Sequence, residues 1–289
     1  MYDLKGTRKI GLVFGIIAVL CMLGSSVAWA DTFRIALTQA SSGAAKKYRP
    51  LEAYLKGKGI DVKFVAAKDY PDAAKKFSAG EADAMFCGSG VAGTMIIKEL
   101  ATPLLRPVSK AGHSTYWAVV IAPKGAAKFD GTAEFFKGKK VLASRLASSG
   151  EFFYRSIPGI KDVGSQYLPA ANHGAAIDAL AKGAADAAVV KVWVWESVQE
   201  KYPQLQMVGQ DRGENPDGTL IIAKTADKEV VKKVSSVLFG SNDDFSAEAE
   251  AVREGMKMRF FTKTTEADFE HTLALLKSAG VNKSFNFSF

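Results

Sequence analysis

The stretch Arg145-Leu146-Ala147-Ser148-Ser149-Gly150-Glu151 sets two hydroxyls and a glycine between a run that reads as a buried strand, Lys140–Ser144, and one that reads as a helix. Small hydroxyl residues at such a corner can cap the helix, or they can hold an anion against its free N–H groups. Ser148, Ser149 and the N–H groups near Gly150, at the positive end of the helix dipole, could hold an anion there without a metal. Other chemistry finds little material. A Gly-x-Ser-x-Gly elbow is absent, and His113, His173 and His271 have no evident triad partners in the sequence. No cysteine and histidine cluster offers metal ligands, and Gly88-Ser89-Gly90-Val91-Ala92-Gly93 lacks the spacing of a dinucleotide fingerprint. No metal, no cofactor and no enzymatic turnover are expected.

The elements that must position this corner alternate. Thr32–Leu37, Asp61–Ala66 and Ala82–Cys87 read as strands, separated by helices over Lys46–Lys58 and Pro71–Ala79. A helix over Val91–Leu100 and two β-rich stretches, Pro103–Val108 and Tyr116–Ala122, precede a break at Pro123-Lys124-Gly125. The alternation restarts with Lys140–Ser144, the hydroxyl corner and its helix, Gln166–Pro169, a helix over Ala175–Lys182, and Ala185–Val190. Leu205–Gly209 and Thr219–Ala223 are further strands, and Asp227–Gly280 reads as mostly helical. The two halves share a signature: Gly80-Glu81-Ala82-Asp83-Ala84 and Gly183-Ala184-Ala185-Asp186-Ala187 each close a helix with glycine and enter a strand through Ala-Asp-Ala.

The N-terminus has the form of a secretory signal peptide: Lys5, Arg8 and Lys9, an apolar run from Ile10 to Leu23, and Ala28-Trp29-Ala30 before Asp31. The apolar run is short of the roughly 20 residues a spanning helix needs. Leu20 before Cys21 argues against lipid attachment, which wants a small residue there. Cleavage after residue 30 removes three basic side chains and one acidic one, so a 289-residue chain of formal charge +8 becomes one of 259 residues and +6. The remaining lysines are scattered, so solvated helix faces explain them and nucleic acid is not an expected partner. Cys87 is then the one cysteine left, which rules out an intrachain disulfide.

Over nearly its whole mature length the chain resembles the periplasmic substrate-binding proteins of phosphate, phosphite and phosphonate ABC transporters. The residues that carry the resemblance are Tyr48-Arg49-Pro50-Leu51-Glu52-Ala53-Tyr54-Leu55, Gly80-Glu81-Ala82-Asp83-Ala84-Met85-Phe86, Phe136-Lys137-Gly138-Lys139-Lys140-Val141-Leu142-Ala143, the Ser148-Ser149-Gly150 corner, and Asn172-His173-Gly174-Ala175-Ala176 with Gly183–Ala187. It implies a type II periplasmic binding protein, α/β in class: two α/β lobes joined by two crossing strands, with the ligand cleft between them. The crossings are placed near Val119–Ile121 and Leu220–Ile222, so lobe 1 is 31–118 plus 222–289 and lobe 2 is 119–221. The implied partners are a small anionic ligand and an ABC permease with its ATPase, and the protein is expected to be a monomer in the periplasm.

In this family the hydroxyl corner holds phosphonate or phosphate oxygens, which gives Ser148, Ser149 and Gly150 that role. Ala147 stands where the family has a further hydroxyl. His173 matches a histidine that donates to the same oxyanion; its plainer use is to cap a helix or sit partly buried. Tyr48 and Tyr116 match aromatic residues that close over the ligand, and either could equally belong to the core. Ser89 could donate from the opposite wall or simply turn the chain. Aminophosphonate binders carry a carboxylate near Val189–Trp195, where this sequence has Lys191, Trp193 and no acid before Glu196. Lys191 adds positive charge, an ammonium-bearing phosphonate is disfavoured, and Trp193 and Trp195 read as core or as stacking surfaces. Asp211 and Glu214 could offer a polar contact at the cleft, and read more plainly as exposed loop acids. Two alternatives keep the fold: a sensing protein that reports to a membrane receptor or kinase, and a binding protein for a different organic solute.

Overall fold

The computed structural model describes residues 32–37, 42–68, 70–144 and 149–287. The candidate signal peptide therefore lies outside the described residues. In chain order the elements are β1 (Phe33–Leu37), α1 (Ser42–Gly57), β2 (Val62–Ala66), α2 (Tyr70–Ser78), β3 (Ala84–Cys87), α3 (Ser89–Ile97), β4 (Ala101–Ser109), β5 (Thr115–Tyr116) and β6 (Ala118–Pro123). They continue with β7 (Lys140–Ser144), α4 (Ser149–Ser156), β8 (Gln166–Ala170), α5 (His173–Ala181), β9 (Ala187–Lys191), α6 (Val192–Val198) and β10 (Leu205–Gln210). The last are β11 (Asn215–Pro216), β12 (Thr219–Ala223), α7 (Lys228–Gly240), α8 (Ala247–Met256), β13 (Met258–Lys263) and α9 (Glu270–Ser278). Among the described residues no helix is long and apolar enough to cross a membrane.

Two sheets carry the architecture. The first has the order β13-β4-β12-β3-β1-β2 and the second β10-β6-β9-β7-β8. Their cores repeat one plan. In the first, β1 runs parallel to β2 and β3, and β12 lies antiparallel to β3. In the second, β7 runs parallel to β8 and β9, and β6 lies antiparallel to β9. Strands covered on both faces read as unbroken apolar runs, and Ala84–Cys87 and Ala187–Val190 are fully buried for that reason.

The glycine and aspartate signature explains how each half enters its third strand. Gly80 and Gly183 take φ of 75° and 77°, the left-handed region that ends a helix without a Cβ penalty. Asp83 then accepts the backbone N–H of Arg34 at 2.8 Å, and Asp186 accepts that of Lys140 at 2.8 Å. Each aspartate thereby pins its strand to the neighbouring one at the end remote from the helix N-termini.

A short antiparallel ribbon, β5 with β11, lies where the chain passes between the sheets, pairing Asn215 with Tyr116 and Pro216 with Thr115. Val119–Ile121 and Leu220–Ile222, expected at the crossings, lie just beyond them inside the second and first sheets respectively. Asp227–Gly280 is mostly helical, as expected, but it also holds one strand that was not expected, β13, which pairs antiparallel with β4. Helix α8 stops because Lys257 adopts a left-handed φ of 55°, and the run that follows, Met-Arg-Phe-Phe-Thr-Lys, buries Met258 and Phe261 against the sheet. Helix α3 is apolar around its whole circumference and is buried accordingly, with α9 on one side and α4 on another. Gly93 admits the side chain of Leu276 and Gly90 that of Phe152; a Cβ at these positions would stand 2.5 Å and 1.6 Å from them.

Candidate functional site

The carboxyl ends of the strands of both sheets feed the residues singled out by the sequence. In the first half, β3 ends at Cys87 and α3 starts two residues later. Its N-cap position is Gly88, which has no side chain to bind the helix's free N–H groups. Ser89, the first helical residue, is fully buried, and its hydroxyl lies 2.7 Å from that of Tyr116 on β5. Tyr48 on α1 is half-buried, stacks on Phe86 with ring centroids 5.4 Å apart and tilts against Phe64 at 5.9 Å. Burial pushes its phenol pKa well up, so it stays a neutral hydroxyl at any physiological pH.

In the second half, Lys191 ends β9 and joins three partners. Its backbone N–H donates to His173 Nδ1 at 3.2 Å, its ammonium lies 4.6 Å from the ring centroid of Tyr116, and the same ammonium pairs with the Asp217 carboxylate. His173 is the first residue of α5. The cap of that helix is Asn172, whose side chain accepts from Ala175 N–H at 2.9 Å, so His173 is released from capping. Burial, then the neighbouring Lys191 charge, lower its pKa from 6.5 to about 4, with Asp217 acting the other way. The imidazole is therefore neutral at pH 7. Since Nδ1 accepts a hydrogen bond, the proton sits on Nε2, which makes that nitrogen a donor.

Ser89, Tyr116, Lys191 and His173 thus form one connected chain of contacts linking the two sheets. Ser148 lies outside the described residues, as does the side chain of Ser149; Ser149 and Gly150 open α4, and Gly150 is buried. Lys47, beside Tyr48, was not singled out by the sequence. Lys47 is exposed as a residue, its ammonium stands 5.1 Å from the Tyr48 ring centroid, and local desolvation shifts its pKa down, with Asp217 opposing and Lys191 and Lys257 adding to the shift.

Asp217 is the acid that sequence reasoning missed. It sits 26 positions from Lys191 in a Pro216-Asp217-Gly218 segment that reads as an ordinary turn, and only the return of the chain through the ribbon brings it there. Asp211, read as a loop acid, is buried and holds His271 Nε2 at 2.9 Å, whereas Glu214 is exposed and accepts from Thr115 at 2.6 Å. Trp193 is fixed by its ring N–H donating to Thr115 O at 2.8 Å and by His113 stacked 3.7 Å away; Trp195 is core.

Known proteins share both the sequence pattern and the fold. Residues 33–269 match the family described as ABC transporter, phosphonate, periplasmic substrate-binding protein. No curated protein matches the sequence. Among solved structures, a Xanthomonas citri protein bound to ATP is 14% identical with a TM-score of 0.72, covering 86% of this chain and 97% of its own. A binding-protein component of an ABC phosphonate transporter from Pseudomonas aeruginosa is 17% identical with a TM-score of 0.66 and 86% coverage of both chains. PhnD1 from Prochlorococcus marinus in complex with methylphosphonate is 14% identical with a TM-score of 0.68, covering 86% of this chain and 98% of its own. The fold is that of type II periplasmic binding proteins, and the family is one of transport binding proteins, not enzymes. With the family pattern running through most of its length, this chain belongs to the periplasmic substrate-binding proteins of phosphonate ABC transporters.

Proposed function

We propose that this protein captures a small phosphorus oxyanion, phosphate, phosphite or a phosphonate, in the cleft between its two sheets and hands it unchanged to an ABC permease and its ATPase. The observation that carries this reading is the contact chain Ser89–Tyr116–Lys191–His173, which joins elements of both sheets and offers hydroxyls, an ammonium and a neutral Nε2–H. Ser148, Ser149 and the N–H groups near Gly150 grip the oxygens from the second half. His173 adds its donor and Lys191 its charge, while Tyr48, Ser89 and Tyr116 close from the first. A donor set of this kind binds an anion without metal, cofactor or any nucleophile.

In this reading residues 1–30 are removed on export and the protein acts in the periplasm as a monomer. The body formed by 31–118 with 222–289 closes on 119–221 by bending at the ribbon. Ligand at a hundredfold excess over its dissociation constant stabilises such a protein by about 2.7 kcal/mol. A thermal-shift panel of the purified protein against phosphate, phosphite, methylphosphonate, sulfate, organic acids and amino acids tests it. Phosphorus oxyanions should raise Tm, and Tyr116→Phe and His173→Ala should each weaken their binding by about tenfold, the worth of one strong hydrogen bond. A panel in which only an amino acid or another organic solute raises Tm overturns the ligand assignment.

A further inference from the structure

Helix α9 follows the first sheet's last strand in the chain, yet it is bound to both halves and to the segment that joins them. Leu276 fills the notch at Gly93 of α3. Toward the second half α9 packs on α4, where Leu276 and Val281 cluster with the buried Phe152 and Leu275 lies against the core of the second sheet. Its first turn then grips the joining segment twice. His271 Nε2 lies 2.9 Å from both carboxylate oxygens of Asp211, whose backbone N–H donates to Ala118 O at 2.8 Å. Gly213 passes so close to the imidazole that a Cβ there would stand 2.3 Å from the ring. Thr272 donates its hydroxyl to Asn215 Oδ1 at 2.7 Å, and Asn215 donates its amide to Tyr116 O at 3.3 Å.

A line of contacts thus runs Thr272–Asn215–Tyr116–Ser89 and ends on the hydroxyl pair of the candidate site. Asn215 and Tyr116 face each other in the β5–β11 ribbon, where the halves are to bend. Thr272 and Asn215 are both buried, so a bend that parts them leaves a polar group without water or partner. We infer that α9 is a strap across the hinge, and that Asn215 and Thr272 are positioning residues that hold the ribbon where the Tyr116 hydroxyl meets Ser89, favouring the closed arrangement without touching the ligand. Apparent affinity scales with the fraction of protein in the binding-competent state, so loosening the strap weakens binding at a distance. The strap presupposes the closure at the ribbon proposed above, and the experiment has one arm that needs a ligand and one that does not.

Isothermal titration with methylphosphonate and with phosphate is run on the wild type, Thr272→Val and Thr272→Ser at a temperature where circular dichroism shows each folded. Small-angle scattering of the ligand-free wild type and of a His271→Ala, Thr272→Val double variant is the second arm. Thr272→Val keeps the shape and removes the hydroxyl, and should weaken binding about fivefold, the equivalent of one buried hydrogen bond; Thr272→Ser should stay within about twofold of the wild type. The double variant should scatter with a larger radius of gyration. A role in folding alone would lower the Tm of Thr272→Val but leave affinity and radius unchanged, and that result overturns the strap. If neither anion binds the wild type, the ligand reading falls and the scattering decides: a larger radius in the double variant keeps the strap, and an unchanged one removes it.

Discussion

The two halves of the molecule are alike at one end of their sheets and unlike at the other. At the ends of the sheets remote from the site, Asp83 and Asp186 do the same work at the same distance, each clasping a backbone N–H of the adjacent strand and returning its own N–H to that residue's carbonyl, at 2.8 and 2.9 Å. At the opposite ends the first half offers hydroxyls, stacked rings and Lys47, whereas the second offers a neutral histidine and a lysine bound to Asp217. Backbone closure is a requirement both sheets share, so the same residues recur. In the proposed function, ligand contacts come from opposite walls and are under no such constraint, which accounts for the divergence of the residues there.

Three measurements break or sharpen this contrast. The largest effect is expected at His173. Its folded pKa of about 4 lies below the ordinary 6.5, so between those values the unfolded chain binds a proton that the folded one excludes. Stability is complete above pH 6.5 and falls as pH drops toward 4, by up to about 3 kcal/mol. Chemical denaturation at pH 7, 6 and 5 should show this slope and His173→Gln should flatten it. An unchanged slope would remove the histidine from its buried, lysine-flanked setting. The next effect lies where the halves touch. Gly90→Ala forces a methyl into the Phe152 ring, which is itself buried, and should destabilise by about 2 kcal/mol and lower Tm by about 5 °C. Gly240→Ala, at the end of α7 with nothing near its Cβ position, serves as the control and should not lower Tm.

The smallest effect separates the two clasps. Arg34 adds two side-chain hydrogen bonds to Asp83, at 3.0 and 2.7 Å, on top of the shared backbone contact. The Arg34 side chain is 40% exposed, so solvent weakens this pair. Asp83→Ala should therefore cost only about 1 kcal/mol more than Asp186→Ala in urea unfolding, and the excess should shrink in high salt. Equal losses at low salt would mean that the backbone clasp accounts for everything.

Much of this arrangement is legible in the residue order because it is local. Apolar runs such as Ala84–Cys87 and glycines that end helices depend on neighbours a few positions away, and the repeat of Gly-x-Ala-Asp-Ala exposes the shared plan of the halves. The site is less legible because its contacts are remote. Ser89 and Tyr116 are 27 positions apart, Lys191 and Asp217 are 26 apart, and Asp211 finds His271 over 60. Asn172 takes the cap that would otherwise occupy His173, a choice that depends on the backbone angles at the turn. Strand β13 escaped because a left-handed lysine, in place of the usual glycine, ends the helix before it.

The position of β12 between β3 and β4 has a consequence in time. Every strand of the second sheet lies within residues 118–210, so that sheet can close once its own segment has emerged from the ribosome or the export channel. The first sheet cannot. Strands β3 and β4, contiguous in the chain, stay unjoined until residues 219–223 arrive to sit between them, and β13 joins later still. The half that begins the polypeptide is thus the last to be finished, and for more than a hundred residues of synthesis it exposes strand edges to whatever holds nascent chains apart.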